Sequence, residues 1–302
     1  MQDRLVQDNP VKDNPIVDVV IPTYKPGNEL KKLVERLMKQ ECKIHKIIIV
    51  NTLVDGFEFP VLDSVQGEKI ERFDIPQEEF NHGLTRNYGM EQSDADYVVF
   101  MTQDAIPADS KLITELIRPF ADEDVYVSYA RQLPRKNCKY VESYVRSFNY
   151  PAEDVVKTKE DFDTMGIKTI FCSDVCAAYR RDRHQELGGF PKTNFNEDMI
   201  FAYKTLMAGK KVYYASKAKV VHSHNYTYFQ QYRRNVEIGK SQMEFKEIFG
   251  TLKSENEGVR MIKGGIMHLI KKGKWYLIPD LILSSGFKFI GYRVGKRKGR
   301  IQ

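Results

Sequence analysis

The chain has 302 residues, 42% hydrophobic and 12% aromatic, enough apolar material for one large domain with an appendage and too much for a disordered chain. Its formal charge is +6, but from Lys271 to Arg300 nine Lys or Arg residues face the single acid Asp280, so the remainder is slightly acidic. Scattered Cys42, Cys138, Cys172 and Cys176 form no C-x-x-C pair or disulfide framework, residues 1–15 lack the apolar core of a signal peptide, and no run reaches the roughly 18–20 apolar residues that span a bilayer.

Residues 1–15 read as a flexible leader. Ile16 to Ile21 is a β-branched run ended by Pro22. Pro26-Gly27-Asn28 is a turn with Asn28 expected as a helix N-cap, after which Leu30, Leu33, Val34, Leu37 and Met38 recur at helical spacing. Lys46 to Val50 is a second buried strand and Lys69 to Asp74 a third; Leu84 to Gln92 is helical, Tyr97 to Thr102 is a strand, and Leu112 to Phe120 is another amphipathic helix. Near-continuous apolar strands alternating with helices predict a mainly parallel sheet covered on both faces. Ligands of such sheets bind beyond the carboxyl ends of the strands.

The second half is less regular. Cys172 to Tyr179 reads as a strand, Glu197 to Ala208 as a helix stopped by Gly209, and Lys211 to Tyr214 and Lys219 to Val221 as two strand-like pieces. Tyr228 to Phe249 reads as a helix ended by Gly250, and Val259 to Gly295 is apolar, basic and interrupted by glycines. Three units follow: the leader, an α/β domain over 16–250, and a basic helical extension over 251–302.

Chemistry-bearing residues gather after strand ends. Pro22-Thr23-Tyr24 follows the first strand. Asn51, with Asp55 nearby, ends the second; these are either turn residues or groups for a base or ribose. In Asn81-His82-Gly83-Leu84-Thr85-Arg86-Asn87-Tyr88-Gly89, two glycines bracket an Arg-Asn pair. Arg86 offers a fork of donors to a diphosphate or sugar oxygen, or Gly89 simply lets a helix pack closely. In Thr102-Gln103-Asp104 a lone carboxylate follows an apolar strand, suited to a hard cation that carries phosphate, or to capping the next turn. Asn196-Glu197-Asp198 opens a helix, where acids cap favourably or where Asp198 acts as general base. His222 and His224, two apart after a strand, can face one metal.

In this order the motifs resemble family 2 glycosyltransferases of the GT-A fold, from about Val17 to Asn225. V-V-I-P-T-Y matches that family's first strand and nucleotide-side loop. H-G-L-T-R-N-Y-G matches its G-x-x-x-A-R-N-x-G signature, with Thr85 in the Ala place. Thr102-Gln103-Asp104 occupies the D-x-D position, Pro107 matches the proline after it, and Asn196-Glu197-Asp198 matches the acceptor-side x-E-D. Within the family, F-N-H-G-L-T-R-N and M-T-Q-D-A-I-P look most like bacterial rhamnosyltransferases of cell-wall or O-antigen polysaccharide.

The resemblance implies a Rossmann-like α/β domain and an inverting transfer from dTDP-β-L-rhamnose to a saccharide that is free or lipid-linked. It also implies Mg²⁺ or Mn²⁺ on Asp104 with His222 or His224, Asp198 as base, and Glu197 and Asn196 at the acceptor or sugar. The nucleotide sugar would lie against Pro22, Thr23, Tyr24, Asn51, Asp55, His82, Arg86, Thr102 and Gln103. Asn51 and Thr102 stand where the family commonly has Asp, so each removes a charge from the nucleotide side. A UDP-hexose donor and a non-catalytic nucleotide-sugar-binding protein are the rival readings. The basic end carries no recognised nucleic-acid motif. Trp275 to Ile278 beside Lys271, Lys272 and Lys274 suits either the cytoplasmic face of a membrane or a homodimer contact.

Overall fold

Alternation along one strand sets the architecture. In β1 (Val17–Tyr24), Val17, Val19 and Ile21 enter one core and Val20 the opposite one, as side chains of successive strand residues must. The computed structural model describes residues 14–60, 62, 69–252 and 255–300; the predicted leader, 1–15, lies mostly outside them. After α1 (Asn28–Leu37) come β2 (Lys46–Thr52), β3 (Ile70–Ile75), α2 (His82–Glu91), β4 (Tyr97–Met101), β5 (Ile106–Pro107) and α3 (Leu112–Ile117). The second half adds β6 (Val125–Leu133), α4 (Tyr140–Asn149), β7 (Val155–Lys157), α5 (Phe162–Met165), β8 (Cys176–Arg180), α6 (Arg181–Glu186), α7 (Glu197–Met207) and β9 (Lys211–Val221).

These strands form one nine-stranded mixed sheet in the order β3-β2-β1-β4-β8-β6-β9-β5, with β7 on β9. The β3-β2-β1-β4 half is parallel, and β8 runs antiparallel between β4 and β6. One face is covered by Leu30, Leu33, Val34 and Leu37 of α1 and by α3. The other is covered by Met90 of α2, Ile200 and Phe201 of α7, and an aromatic cluster of Phe100, Tyr179 and Phe190. Ile47, Ile48, Ile49 and Val50 are fully buried; each such side chain contributes roughly 1.5–3 kcal/mol relative to exposure.

Local departures from the sequence reading have identifiable causes. Gly27 caps α1 and Asn28 is its first helical residue. The two pieces expected over 211–221 are one strand: opposite β6 the register jumps from Ala215 to Lys219, and that irregularity interrupts the apolar pattern. The strand expected from Cys172 begins at Cys176, because residues 172–175 form a loop. The helix expected over 228–249 breaks at Phe245 (φ −108°, ψ 45°) into α8 (Tyr228–Glu244) and α9 (Lys246–Phe249).

Two helices close the chain, α10 (Glu255–Lys271) and α11 (Ile278–Lys298). α11 lies along α8 at close range: a Cβ on Gly295 would sit 2.1 Å from the Val236 carbonyl oxygen, so only glycine permits this approach. Leu269 and Leu281 cover Val141 of α4. Among the described residues, no helix is long and apolar enough to cross a membrane.

Candidate active site

The short β5 brings the first cluster together. Ile106 pairs with Val221 at the end of β9, so the turn that carries Asp104 lies over the residues leaving β9. Asp104 Oδ1 is 3.5 Å from His222 Nε2 and Oδ2 is 3.4 Å from His224 Nε2. The two Nε2 atoms are 3.0 Å apart, and all three donor groups lie within 4.8 Å of one another.

His222 is oriented from behind. Its Nδ1 is 3.2 Å from Gln132 Oε1, which also accepts from Arg146 Nη1. An acceptor oxygen there calls for a proton on Nδ1 and leaves Nε2 facing Asp104. Burial, then the neighbouring His222, lowers His224 to about 4, a neutral imidazole at pH 7. Burial opposes charge on Asp104, but the hydrogen bond and charge of His222, with His224 and Arg135, outweigh it and bring Asp104 to about 2. One carboxylate and two imidazole nitrogens turned on one point suit a divalent cation. The nitrogens fit Mn²⁺ better than Mg²⁺, whose ligands are oxygens.

The second cluster is acidic and hangs on α2. Asn81 caps that helix, its Oδ1 accepting from Leu84 N and Thr193 N at 3.1 Å each. Asn87 exchanges two 2.9 Å hydrogen bonds with the Phe190 backbone. A Cβ on Gly83 would lie 1.9 Å from the Pro191 oxygen. The H-G-L-T-R-N segment thus clamps α2 against the loop that leads into α7. The clamp delivers Arg86, 4% exposed, between two carboxylates: Nε is 3.1 Å from Asp174 Oδ2 and Nη1 is 3.0 Å from Glu197 Oε1.

Asp198 completes this cluster. Its Oδ2 accepts from Asp174 N at 3.2 Å and its Oδ1 from Met199 N at 2.7 Å. Asn196, in the left-handed region (φ 65°), is held by a 3.0 Å bond from its Nδ2 to Ser241 Oγ. Two carboxylates pair with one guanidinium, and Asp198 stands in its field. Burial, then Glu197 and Asp174, raise Asp198 well above the usual carboxylate range. Burial likewise lifts Asp174 to about 7 against the pull of Arg86. The two clusters are joined, because Gln132 Nε2 donates to Ser173 Oγ at 2.9 Å, one residue before Asp174.

On the nucleotide side the placements differ in kind. Thr23 Oγ1 donates to Asn51 Oδ1 at 3.0 Å, and Asn51 Nδ2 donates to Asp74 Oδ1 at 2.8 Å. A carboxylate does stand one strand away, on Asp74 near the end of β3, bonded to Asn51. At Thr102 the loss stands, and its Oγ1 is buried without a hydrogen-bond partner. The Gln103 amide bridges to the Tyr24 backbone at 2.9 and 3.1 Å, pinning the loop after Pro22 to the Asp104 turn. Arg86 is committed to carboxylates. His82, lowered to about 4 by burial and then by Arg86, lies 3.3 Å from it. Asp55 is exposed, and among the described residues no hydrogen bond or ion pair ties it to the cleft.

Asp174, Gln132, Arg135 and Asp74 were not singled out from the sequence. Gln132 and Arg135 carried the signal used for Asn51, polar residues where an apolar strand ends. Asp74 ends a strand that was read correctly. Asp174 had no local signal.

Residues 18–188 match the family described as Glycosyl transferase family 2, and the chain belongs to that family. It is 36% identical over 285 residues to the O-antigen chain rhamnosyltransferase RfbN of Salmonella typhimurium, covering 93% of this chain and 89% of that one. To the O-antigen chain rhamnosyltransferase WbaN of Salmonella anatum it is 34% identical, covering 92% and 88%. Among solved structures, the mannosyltransferase PcManGT from Pyrobaculum calidifontis, in complex with GDP-Man and Mn²⁺, superposes with a TM-score of 0.63 at 14% identity, covering 96% and 88%. S. aureus TarS superposes at 0.54 with 16% identity, covering 95% and 91%. These likenesses show the GT-A fold.

Proposed function

We propose that this glycosyltransferase moves L-rhamnose from dTDP-β-L-rhamnose to a hydroxyl of a saccharide, carried on a lipid, in bacterial surface polysaccharide synthesis. The rhamnosyltransferase names of its relatives support the sugar. The convergence of Asp104, His222 and His224 is the observation that carries the metal-dependent reading. A divalent cation on these three, Mn²⁺ before Mg²⁺, would neutralise charge developing on the departing diphosphate. Pro22, Thr23, Tyr24, Asn51 and Asp74 frame the base and ribose.

Asp198 takes the acceptor proton. The acceptor oxygen bonds to the anomeric carbon on the face opposite the nucleotide, as the carbon's bond to the β-phosphate oxygen breaks, and the configuration inverts. The raised pKa of Asp198 strengthens it as a base once it is ionised. Asn196 and Glu197 orient acceptor and sugar, and Arg86 shapes the pocket by holding Glu197 and Asp174.

The test is nucleotide release from dTDP-rhamnose, UDP-glucose, UDP-galactose and GDP-mannose, each with Mn²⁺, Mg²⁺ or EDTA. Release from dTDP-rhamnose alone, and only with a cation, is expected. Equal turnover of a UDP-hexose would overturn the donor, and full activity in EDTA the metal. We also read the α10–α11 turn as a contact with the cytoplasmic membrane face. Trp275 and Tyr276 are 68% and 58% exposed beside Lys271, Lys272 and Lys274, apolar rings with cations that suit anionic lipid. The full chain should float with anionic vesicles at low salt, and Trp275→Ser with Tyr276→Ser should abolish flotation.

A further inference from the structure

Arg135 stands at the metal-facing carboxylate, and the reaction as described leaves it without a role. It lies two residues past β6, where its backbone N–H donates to Ser223 Oγ at 3.0 Å, between the two histidines. Its Nη2 donates to Asp104 Oδ2 and to the Asp104 main-chain oxygen, both at 3.0 Å. Oδ2 is also the oxygen 3.4 Å from His224 Nε2, so the guanidinium and the histidine-bounded position claim the same atom. The pair is reachable: the Arg135 and Asp104 side chains are 28% and 20% exposed. Among the described residues, Nε and Nη1 of Arg135 have no hydrogen-bond partner.

We infer that Arg135 is a second cation of the diphosphate site, which competes with the metal for Asp104 and binds phosphate with its free donors. The inference rests on the proposed metal-dependent reading of the site. Charge balance carries it further. A nucleoside-diphosphate sugar brings two negative charges and Asp104 a third. A divalent cation offsets two of them, and among the described residues Arg135 is the Arg or Lys paired with this carboxylate to offset the last. Counting these groups alone, the site closes at zero only when metal and guanidinium act together. Departure of the sugar leaves one more charge on the diphosphate, where a planar fork of donors binds more strongly than in the resting donor.

Calorimetric titration of the full chain with Mn²⁺ alone, and with dTDP or UDP in the presence of Mn²⁺, tests this without reference to turnover. Arg135→Met should bind Mn²⁺ more tightly, because its competitor at Oδ2 is gone. The same variant should bind the nucleoside diphosphate about tenfold more weakly, the loss of a charge-assisted hydrogen bond. Arg135→Lys, which keeps the charge but not the fork, should fall between them on both measures and serves as the control for folding. If Arg135→Met leaves both affinities unchanged, or loosens Mn²⁺, the inference is overturned. Failure of the unaltered chain to bind Mn²⁺ or either nucleotide would instead overturn the metal-dependent reading beneath it.

Discussion

Replacement of Arg86 by Met should destabilise the chain in a strongly pH-dependent way. The side chain is 4% exposed and stands 3.1 Å from Asp174 and 3.0 Å from Glu197, with Asp198 beside them. Met fills most of the volume but leaves three carboxylates without their counter-ion. Breaking a buried pair by removing one partner costs about 3–5 kcal/mol. At about 2–4 °C per kcal/mol for a chain of this size, the melting temperature should fall by roughly 10 °C. The sign of the pH dependence follows from the raised values of Asp174, about 7, and of Asp198. A carboxyl whose pKa is higher in the folded chain contributes stability below its unfolded value and loses it as pH rises through the folded value. Losing Arg86 raises both folded values further, so the deficit should be smaller at pH 5 and grow toward pH 8. Thermal melts of both chains across that range, followed by near-UV circular dichroism, measure it. A gap equal at pH 5 and pH 8, or absent at pH 8, would refute the shared-guanidinium account and leave only packing.

Other outcomes are as definite. Asp198→Asn should lower kcat by about 10²–10⁴ with donor affinity retained, and should melt higher than the parent at pH 8, because a carboxylate repelled by Glu197 and Asp174 is gone; near-normal turnover removes Asp198 as the base. The parent's rate should climb with pH on an acid limb displaced above the usual carboxylate range, since the base must be ionised, and that limb should be absent in Asp198→Asn. EDTA should abolish turnover, and Mn²⁺ should restore it at lower concentration than Mg²⁺, whereas His224→Ala should raise the Mn²⁺ requirement in the same assay. Asn51→Asp should cost about 1–3 kcal/mol by setting an acid against Asp74, and adding Asp74→Asn should recover most of it; denaturant melts of the double-mutant cycle decide whether the two couple.

The parallel half of the sheet was legible because its signal is local. Ile47, Ile48, Ile49 and Val50 form an unbroken apolar run, and a strand buried on both faces has no other pattern to show. The convergence of Asp104 with His222 and His224 was also legible: the two histidines lie two apart past a strand, and Asp104 stands alone after one. The acidic cluster was half legible. Arg86 and Glu197 each lay in a recognisable motif, yet that they form an ion pair depends on Gly83 letting α2 touch Pro191 and on Asn87 clamping Phe190. Such contacts between segments over a hundred residues apart leave no periodicity. Asp174 was invisible for the same reason. Its acidity is set by burial beside Arg86, and nothing in the loop before β8 records that neighbour.

The nucleotide edge shows how a departure from a motif can conserve its chemistry. An Asp at position 51 could accept from Thr23, but it could not donate to Asp74, and two carboxylates would then meet at the 2.8 Å now spanned by a hydrogen bond. With Asp74 at the end of β3, further fixed by Arg72 at 2.7 Å, an amide is the group that satisfies both neighbours. Asn51 and Asp74 are one unit in which the charge has moved a strand outward, and Arg72 and Asn51 together hold Asp74 below the ordinary carboxylate range. Thr102 differs: its hydroxyl is buried, and among the described residues it has no hydrogen-bond partner. Of the two departures, Thr102 is the one beside Asp104. It leaves the cluster of Asp104, His222 and His224 with a single carboxylate, against which Arg135 sets its positive charge at 3.0 Å.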